Sequence, residues 1–148
     1  MNYGRPIGMV GGILALVGTL LPWVTISDSV SSITASGLGV FIFGVPAMIL
    51  GILGLVFVAI PKKGFAIAGL IMGILVMIFV VLAIAMTSVI AGFAAYTGVV
   101  TVSMDYGMYL TLVGAILLMV GGALAYIQIR DVVAPVPTQP LPPTNGQF

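Results

Sequence analysis

Long apolar runs separated by short polar breaks dominate the chain. Four runs predict membrane-crossing helices, because a bilayer core takes about 20 mostly apolar residues. They are Ile7 to Ile26 (IGMVGGILALVGTLLPWVTI), roughly Val40 to Ile60, Phe65 to about Ile90, and roughly Met108 to Ile129. The runs are continuous rather than alternating, which argues against a transmembrane barrel. The first is longer than a signal-peptide core, and no clean small-x-small cleavage site follows it, so it reads as a retained span. The third, at about 26 residues and about 39 Å, exceeds what a bilayer needs and is expected to tilt or project.

The breaks carry their own pattern. VTISDSVSSITASGLG, after Trp23, alternates in part and is rich in Val, Ile, Thr and Ser. Thr97 to Gly107 reads TGVVTVSMDYG, and Val99 to Ser103 is again strand-like. A small antiparallel sheet is expected, with two strands from the first loop and one from the second. The third strand matters because a lone hairpin is marginal. A free outer edge would invite a second copy to add. After Arg130 the chain reads DVVAPVPTQPLPPTNGQF, with five of the nine prolines and a PxxP at Pro137 to Pro140. That composition predicts an extended tail of polyproline II character. The predicted organisation is a four-span bundle over 1–130 and a proline-rich tail over 131–148. The helices fall at about 7–26, 40–60, 65–90 and 108–129, and the outer loops at 27–39 and 91–107.

Composition narrows the chemistry. Of 148 residues, 61% are hydrophobic and 5% charged, against about 25% charged in soluble domains. A water-soluble globule is ruled out. There is no Cys, no His and no Glu, which removes disulfides, thiol nucleophiles, imidazole bases and the usual zinc sites. Asp28 and Asp105 fall in the two outer loops, too few ligands for calcium, which takes six to eight. No ionisable residue lies inside a span, whereas coupled transporters place such groups there. The span hydroxyls Thr19, Thr25, Thr87, Ser88 and Thr111 can bond their own helix. The expectation is therefore no enzyme, no catalytic, cofactor-binding or metal-binding residue, no cofactor, and no nucleic-acid partner.

The few charges predict topology. Arg5, Lys62 with Lys63, and Arg130 all fall on one side of a four-span chain, which the positive-inside rule makes cytoplasmic. Tyr3 and Tyr126 mark that interface. Trp23, Tyr96, Tyr106 and Tyr109 mark the outer one, with Trp23 as the outer-loop anchor. The expected location is the plasma (cell) membrane, multi-pass, with both termini cytoplasmic.

Small residues predict how the helices meet, since lipid is as apolar as Leu and close backbone approach drives association. Twenty glycines are present. Gly4, Gly11 and Gly18 recur every seven residues, as do Gly37, Gly44 and Gly51, and Gly107, Gly114 and Gly121. Gly8 with Gly12, and Gly69 with Gly73, form small-xxx-small pairs. The predicted packing residues are Gly11, Gly18, Gly44, Gly51, Gly69, Gly73, Gly114 and Gly121. A seven-residue period favours a left-handed bundle. Pro46 should kink the second helix, and Pro22 should redirect the chain into the first loop. GMVGGIL (Gly8 to Leu14) and GLIMGIL (Gly69 to Leu75) share four of seven positions, so the chain reads as two hairpins of one design.

The layout resembles the claudin and related tetraspan group. Four spans, cytoplasmic ends, Trp23 at the start of loop one, Gly37-Leu38 further on, and a long third helix carry the likeness. The family's second Trp and its loop-one cysteine pair are absent, and loop one is much shorter. The layout is also similar to small prokaryotic four-span proteins with Pro-Trp at the end of span one. The spans and loop patterns predict an all-α membrane protein, a left-handed four-helix bundle with a small extracellular β-element, and the resemblance implies lateral self-association or scaffold work. The expected function is thus a structural membrane protein that self-associates to organise or shape a membrane. The alternatives are a small accessory subunit of a larger membrane complex and, third, a small pore formed between subunits. The expected partners are the lipid bilayer, further copies of the chain, and in the second case a larger membrane protein.

Overall fold

The computed structural model describes the backbone of residues 3–132 and the side chains of residues 3–129. The proline-rich tail read at 131–148 lies outside the described side chains throughout, and beyond residue 132 outside the described backbone. Four helices and three strands run in the order α1 (Gly4–Leu20), β1 (Pro22–Ser27), β2 (Ser32–Ser36), α2 (Phe41–Ala59), α3 (Lys63–Thr97), β3 (Thr101–Met104) and α4 (Tyr106–Val132). Three helices are long and apolar enough to cross a membrane, and α1 is a shorter apolar helix of 17 residues.

Local chemistry sets the ends. Pro22 disfavours the helical region for the residue before it, and Leu21 is extended at ψ 165°. The apolar run expected to stay helical to Ile26 therefore turns to strand at Pro22, so that the last five residues of the predicted span one belong to β1. Ile60, before Pro61, is extended for the same reason and ends α2. In α3 no such breaker occurs, so the helix continues beyond the predicted Ile90 to Thr97. It stops at Gly98, whose φ of 67° is open to glycine at no steric cost. At 35 residues α3 is about 52 Å long.

α1 packs against α2 and α4, and α3 against the same two, with the α1–α4 contact the most extensive. That contact is a seam of glycines from both helices. A methyl placed on Gly4 would strike the backbone of Ala125, one on Gly11 that of Leu118, and one on Gly18 the backbone and hydroxyl of Thr111. From the other side, Gly121 faces the backbone of Gly8, Gly114 that of Ala15, and Gly107 the carbonyl of Pro22. The two helices run antiparallel, and their heptad glycines interleave. Each glycine meets partner backbone, so only hydrogen fits between the chains. Elsewhere the packing uses side chains. Val58 of α2 sits between Gly8 of α1 and Gly69 of α3 and is 1% exposed. The two glycines that open the matching GMVGGIL and GLIMGIL segments thus flank one side chain.

The strands form one antiparallel sheet in the order β2-β1-β3. β1 pairs with β2 through Thr25↔Thr34 and Ile26↔Ile33, with an irregularity between Pro22 and Val24. It pairs with β3 through Val24↔Met104 and Ser27↔Thr101. Two strands from the first loop and one from the second is the arrangement the loop patterns predict.

Candidate functional site

The sheet-capped end of the bundle holds most of the side-chain hydrogen bonds among the described residues, and Trp23 is its centre. β1 carries the indole inward, where it is fully buried with Val24, Ala47, Val76, Val80, Ala83, Met108 and Ala115. Its Nε1 donates to the Gly18 carbonyl at 2.8 Å. That satisfies both the indole N–H and an end carbonyl of α1, each costly to leave bare. Gly37 lies flat against the ring, since a methyl there would come within 2.7 Å of Cε2. The Gly37 N–H bonds the Leu21 carbonyl at 3.2 Å. Trp23 and Gly37 therefore meet, although 14 residues separate them. The half-buried Val102 and Met104 of β3 pack on the same cluster and tie the sheet to α3.

Asp105 fastens the joint from the other side. It receives the Thr25 hydroxyl on Oδ2 at 2.5 Å, and its N–H donates to the Trp23 carbonyl at 2.9 Å. Its carbonyl accepts from the Met108 N–H at 3.3 Å, opening α4. Sequence reading placed Thr25 inside a span and Asp105 free in a loop. Their bond spans 80 residues and depends on the β1–β3 register, which local pattern does not announce.

Asp28 turns the β1–β2 hairpin. Its Oδ1 accepts the N–H groups of Val30 and Ser31, both at 2.7 Å. These bonds favour the carboxylate, so its pKa is held below the ordinary 3.8, first by Val30 and then by Ser31. A depressed carboxylate stabilises the turn at pH above 3.8. That contribution is lost as pH falls from there through the lowered folded value. Asp28 and Asp105 serve separate turns, and no cluster of three or more potential metal-ligating side chains occurs among the described residues.

Two surfaces at this end are open. β2 is the outer strand of the sheet, with Ile33 of β2 and Val30 of the turn exposed. The second is the top of α3. α3 and α4 run antiparallel with Leu70 beside Gly122 and Gly73 beside Met119. Extending that register brings Tyr106, the first residue of α4, roughly level with Met86. The turns from Thr87 to Thr97 stand about 16 Å beyond the start of α4. β3 covers one flank, while Val89, Ile90, Phe93 and Tyr96 remain exposed.

The predicted packing residues fall in different places. Gly11, Gly18, Gly114 and Gly121 line the α1–α4 seam, together with Gly4 and Gly107. Gly69 faces Val58, and Gly73 faces the backbone of Met119. Gly44 lies under the Gly37 carbonyl, and a methyl on Gly51 would find Ala15 and Leu16 at ordinary distances of 3.7–4.0 Å. The predicted topology residues gather at the opposite end from the sheet. Arg5 is in the first turn of α1, and Lys62 and Lys63 begin α3, with Lys63 Nζ 5.2 Å from the Tyr126 ring centroid. The Gly4 N–H donates to Gln128 Oε1 at 3.2 Å, joining α1 to α4 there. Arg130 closes the same end by its place in α4, its side chain lying outside the described residues. Of the span hydroxyls, Thr19 donates to the Leu16 carbonyl, Ser88 to Ile84 and Thr111 to Gly107, each within its own helix.

Three long apolar helices, a shorter fourth and a sheet at one end define a multi-pass membrane protein built as a sheet-capped helix bundle. No known protein family, curated protein or solved structure matches the chain.

Proposed function

We propose that the protein is a structural component of the cell membrane that self-associates laterally through its sheet-capped end, organising or shaping the bilayer. The observation that carries this reading is the pair of open surfaces at that end, a strand edge and an apolar helix face. β2 offers an unpaired strand edge, which natural sheets normally blunt with charge, proline or a cover. The β2 residues Ser32–Ser36 include no charge and no proline. The raised turns of α3 present Val89, Phe93 and Tyr96, all exposed. Two unlike surfaces on one body can join head to tail and repeat. Gathering of Arg5, Lys62 and Lys63 at the other end supports a cytoplasmic basic end and an external sheet. The seven-residue glycine period supports left-handed crossing.

Gentle extraction from the native membrane, followed by native electrophoresis and mass spectrometry of each band, tests the reading. A ladder containing only this chain is expected, and Ile33→Lys at the strand edge should collapse it to the smallest band without lowering the melting temperature. A fixed ratio with a larger protein would replace self-assembly by an accessory role. Liposomes made permeable to small solutes by the pure protein would replace it by a pore.

A further inference from the structure

α1 and α3 offer the bilayer different heights. Each packs on α2 and α4 far more than on the other, so they stand at opposite corners and both keep an outward face. Val10, Val17 and Leu20 are exposed on α1, and Ile71 and Leu82 on α3. α1 has a limit at each end. Arg5 stands in its first turn, and a charge is costly within hydrocarbon. At the other end Pro22 begins β1 and pairs with Ser36 of β2, the outer strand of the sheet. The free edge of β2 exposes backbone N–H and C=O groups that lipid cannot satisfy, and open sheet edges do not occur within the hydrocarbon.

Between these limits the apolar height is at most the 17 residues of α1, about 25 Å. A hydrocarbon core is about 30 Å thick. α3 is not so confined. From Lys63 to Met86, level with the first residue of α4, it rises about 35 Å. A rigid tilt of the bundle lengthens the lipid band on every flank alike, so tilt cannot match both helices. A short span is otherwise met by thinning of the bilayer beside it. We propose that the α1 flank is seated in a locally thinned bilayer, with phospholipids of short acyl chain as its preferred partners, while the α3 flank meets bilayer of ordinary thickness. This seating rests on the membrane-shaping reading above but needs no second copy.

The chain has no cysteine, so Leu20→Cys on α1 and Leu82→Cys on α3 each give a single labelling site. The seam register sets Leu20 level with Tyr109, and the α3–α4 register sets Leu82 level with Leu110, so the two sites have nearly equal height. Each full-length variant carries a polarity-sensitive fluorophore and is reconstituted at less than one copy per vesicle. The vesicles are phosphatidylcholine of fourteen-, eighteen- or twenty-two-carbon chains. Quenching by aqueous iodide and by brominated acyl chains reads the depth of each label. Iodide quenching at Leu20 should stay constant as the chains lengthen, while at Leu82 it should fall by about half or more as the hydrocarbon thickens. Parallel burial of both labels overturns the thinned flank, because the boundary is then level around the bundle. A Leu20 label shielded from both quenchers also overturns it, because protein rather than lipid then covers α1. The unlabelled wild type gives a second readout. Released into mild detergent from an equal mixture of fourteen- and eighteen-carbon lipid, it should retain the shorter chains about twofold over the longer, and equal retention overturns the preference. Loss of the native-gel ladder would remove self-association alone, since these labels are read on single copies.

Discussion

The α1–α4 seam and the α2 flank carry the same glycine spacing and use it differently. At the seam, two interleaved series of three meet partner backbone along the full contact. In α2 the matching series never forms a helix–helix stripe. Gly37 lies outside the helix beneath the Trp23 indole, Gly44 accommodates the Gly37 carbonyl, and Gly51 has room to spare. The interhelical work of α2 falls to residues off the heptad. Gly54 meets Leu118 and Met72, and Val58 fills the slot between Gly8 and Gly69. A small-residue repeat is therefore permission for close approach. Approach happens only where the partner brings its own small residues to the same level.

The sharpest way to break this contrast is Gly114→Leu. Its first added carbon would meet the Ala15 N–H and the Gly11 carbonyl. Backbone cannot rotate aside as a side chain can, so α1 must leave α4. Overpacking in cores costs about 1–3 kcal/mol and more when backbone must shift, and here failure to assemble a folded bundle is expected. An unchanged melting temperature in detergent would remove the seam from the account. Next in size is Trp23→Ala. Loss of a fully buried Trp costs about 3–5 kcal/mol, and the Gly18 carbonyl loses its donor. Both outer loops should become protease-sensitive while the basic end stays intact. Resistance of both loops would reduce Trp23 to an interface marker.

How much of this was legible varies by element. The helices and the two-plus-one sheet follow from run length and alternation, because both are local and the loops were too short to do otherwise. The end of α1 is hard to place because the mostly apolar run continues past Leu20 to Ile26, interrupted only by Pro22 and Thr25. The available signal was Pro22 followed by β-branched Val24, Thr25 and Ile26, which favours strand. The length of α3 was underestimated because AGFAAYT is apolar enough to end a span and helical enough to continue one. Only the glycine after it stops the chain. The Thr25–Asp105 bond and the Val58 slot depend on register between distant elements, and no spacing in the sequence encodes them. The basic end was readable from the places of Arg5, Lys62, Lys63 and Arg130 along the chain.

Gly44→Ala tests the middle of the comparison. The added methyl would meet the Gly37 carbonyl, which is backbone, but of a short turn rather than a packed helix. The turn can give at a cost of about 1–3 kcal/mol, and Trp23 should move with it. A shift in indole fluorescence is expected with the bundle still folded. A loss as severe as that of Gly114→Leu would mean that the turn is as rigid as the seam.

Gly51→Ala closes the series with the smallest change and the opposite sign. Gly51 has the heptad position of a packing glycine, and by spacing alone its substitution should harm. The space says otherwise, because a methyl there would sit 3.7 Å from Leu16 Cδ2 and 3.8 Å from Ala15 Cβ, ordinary contact distances. No backbone obstructs it. Glycine inside a helix is less favourable than alanine by about 0.5–1 kcal/mol, chiefly through the freedom it gives the unfolded chain. The variant should therefore melt at the same temperature or slightly higher. Destabilisation by 1 kcal/mol or more would show that α1 and α2 lie closer than these distances allow, and that the α2 series is a second seam after all. A neutral or stabilised variant, beside a Gly114→Leu that does not fold, would separate glycine as a spacing from glycine as a contact.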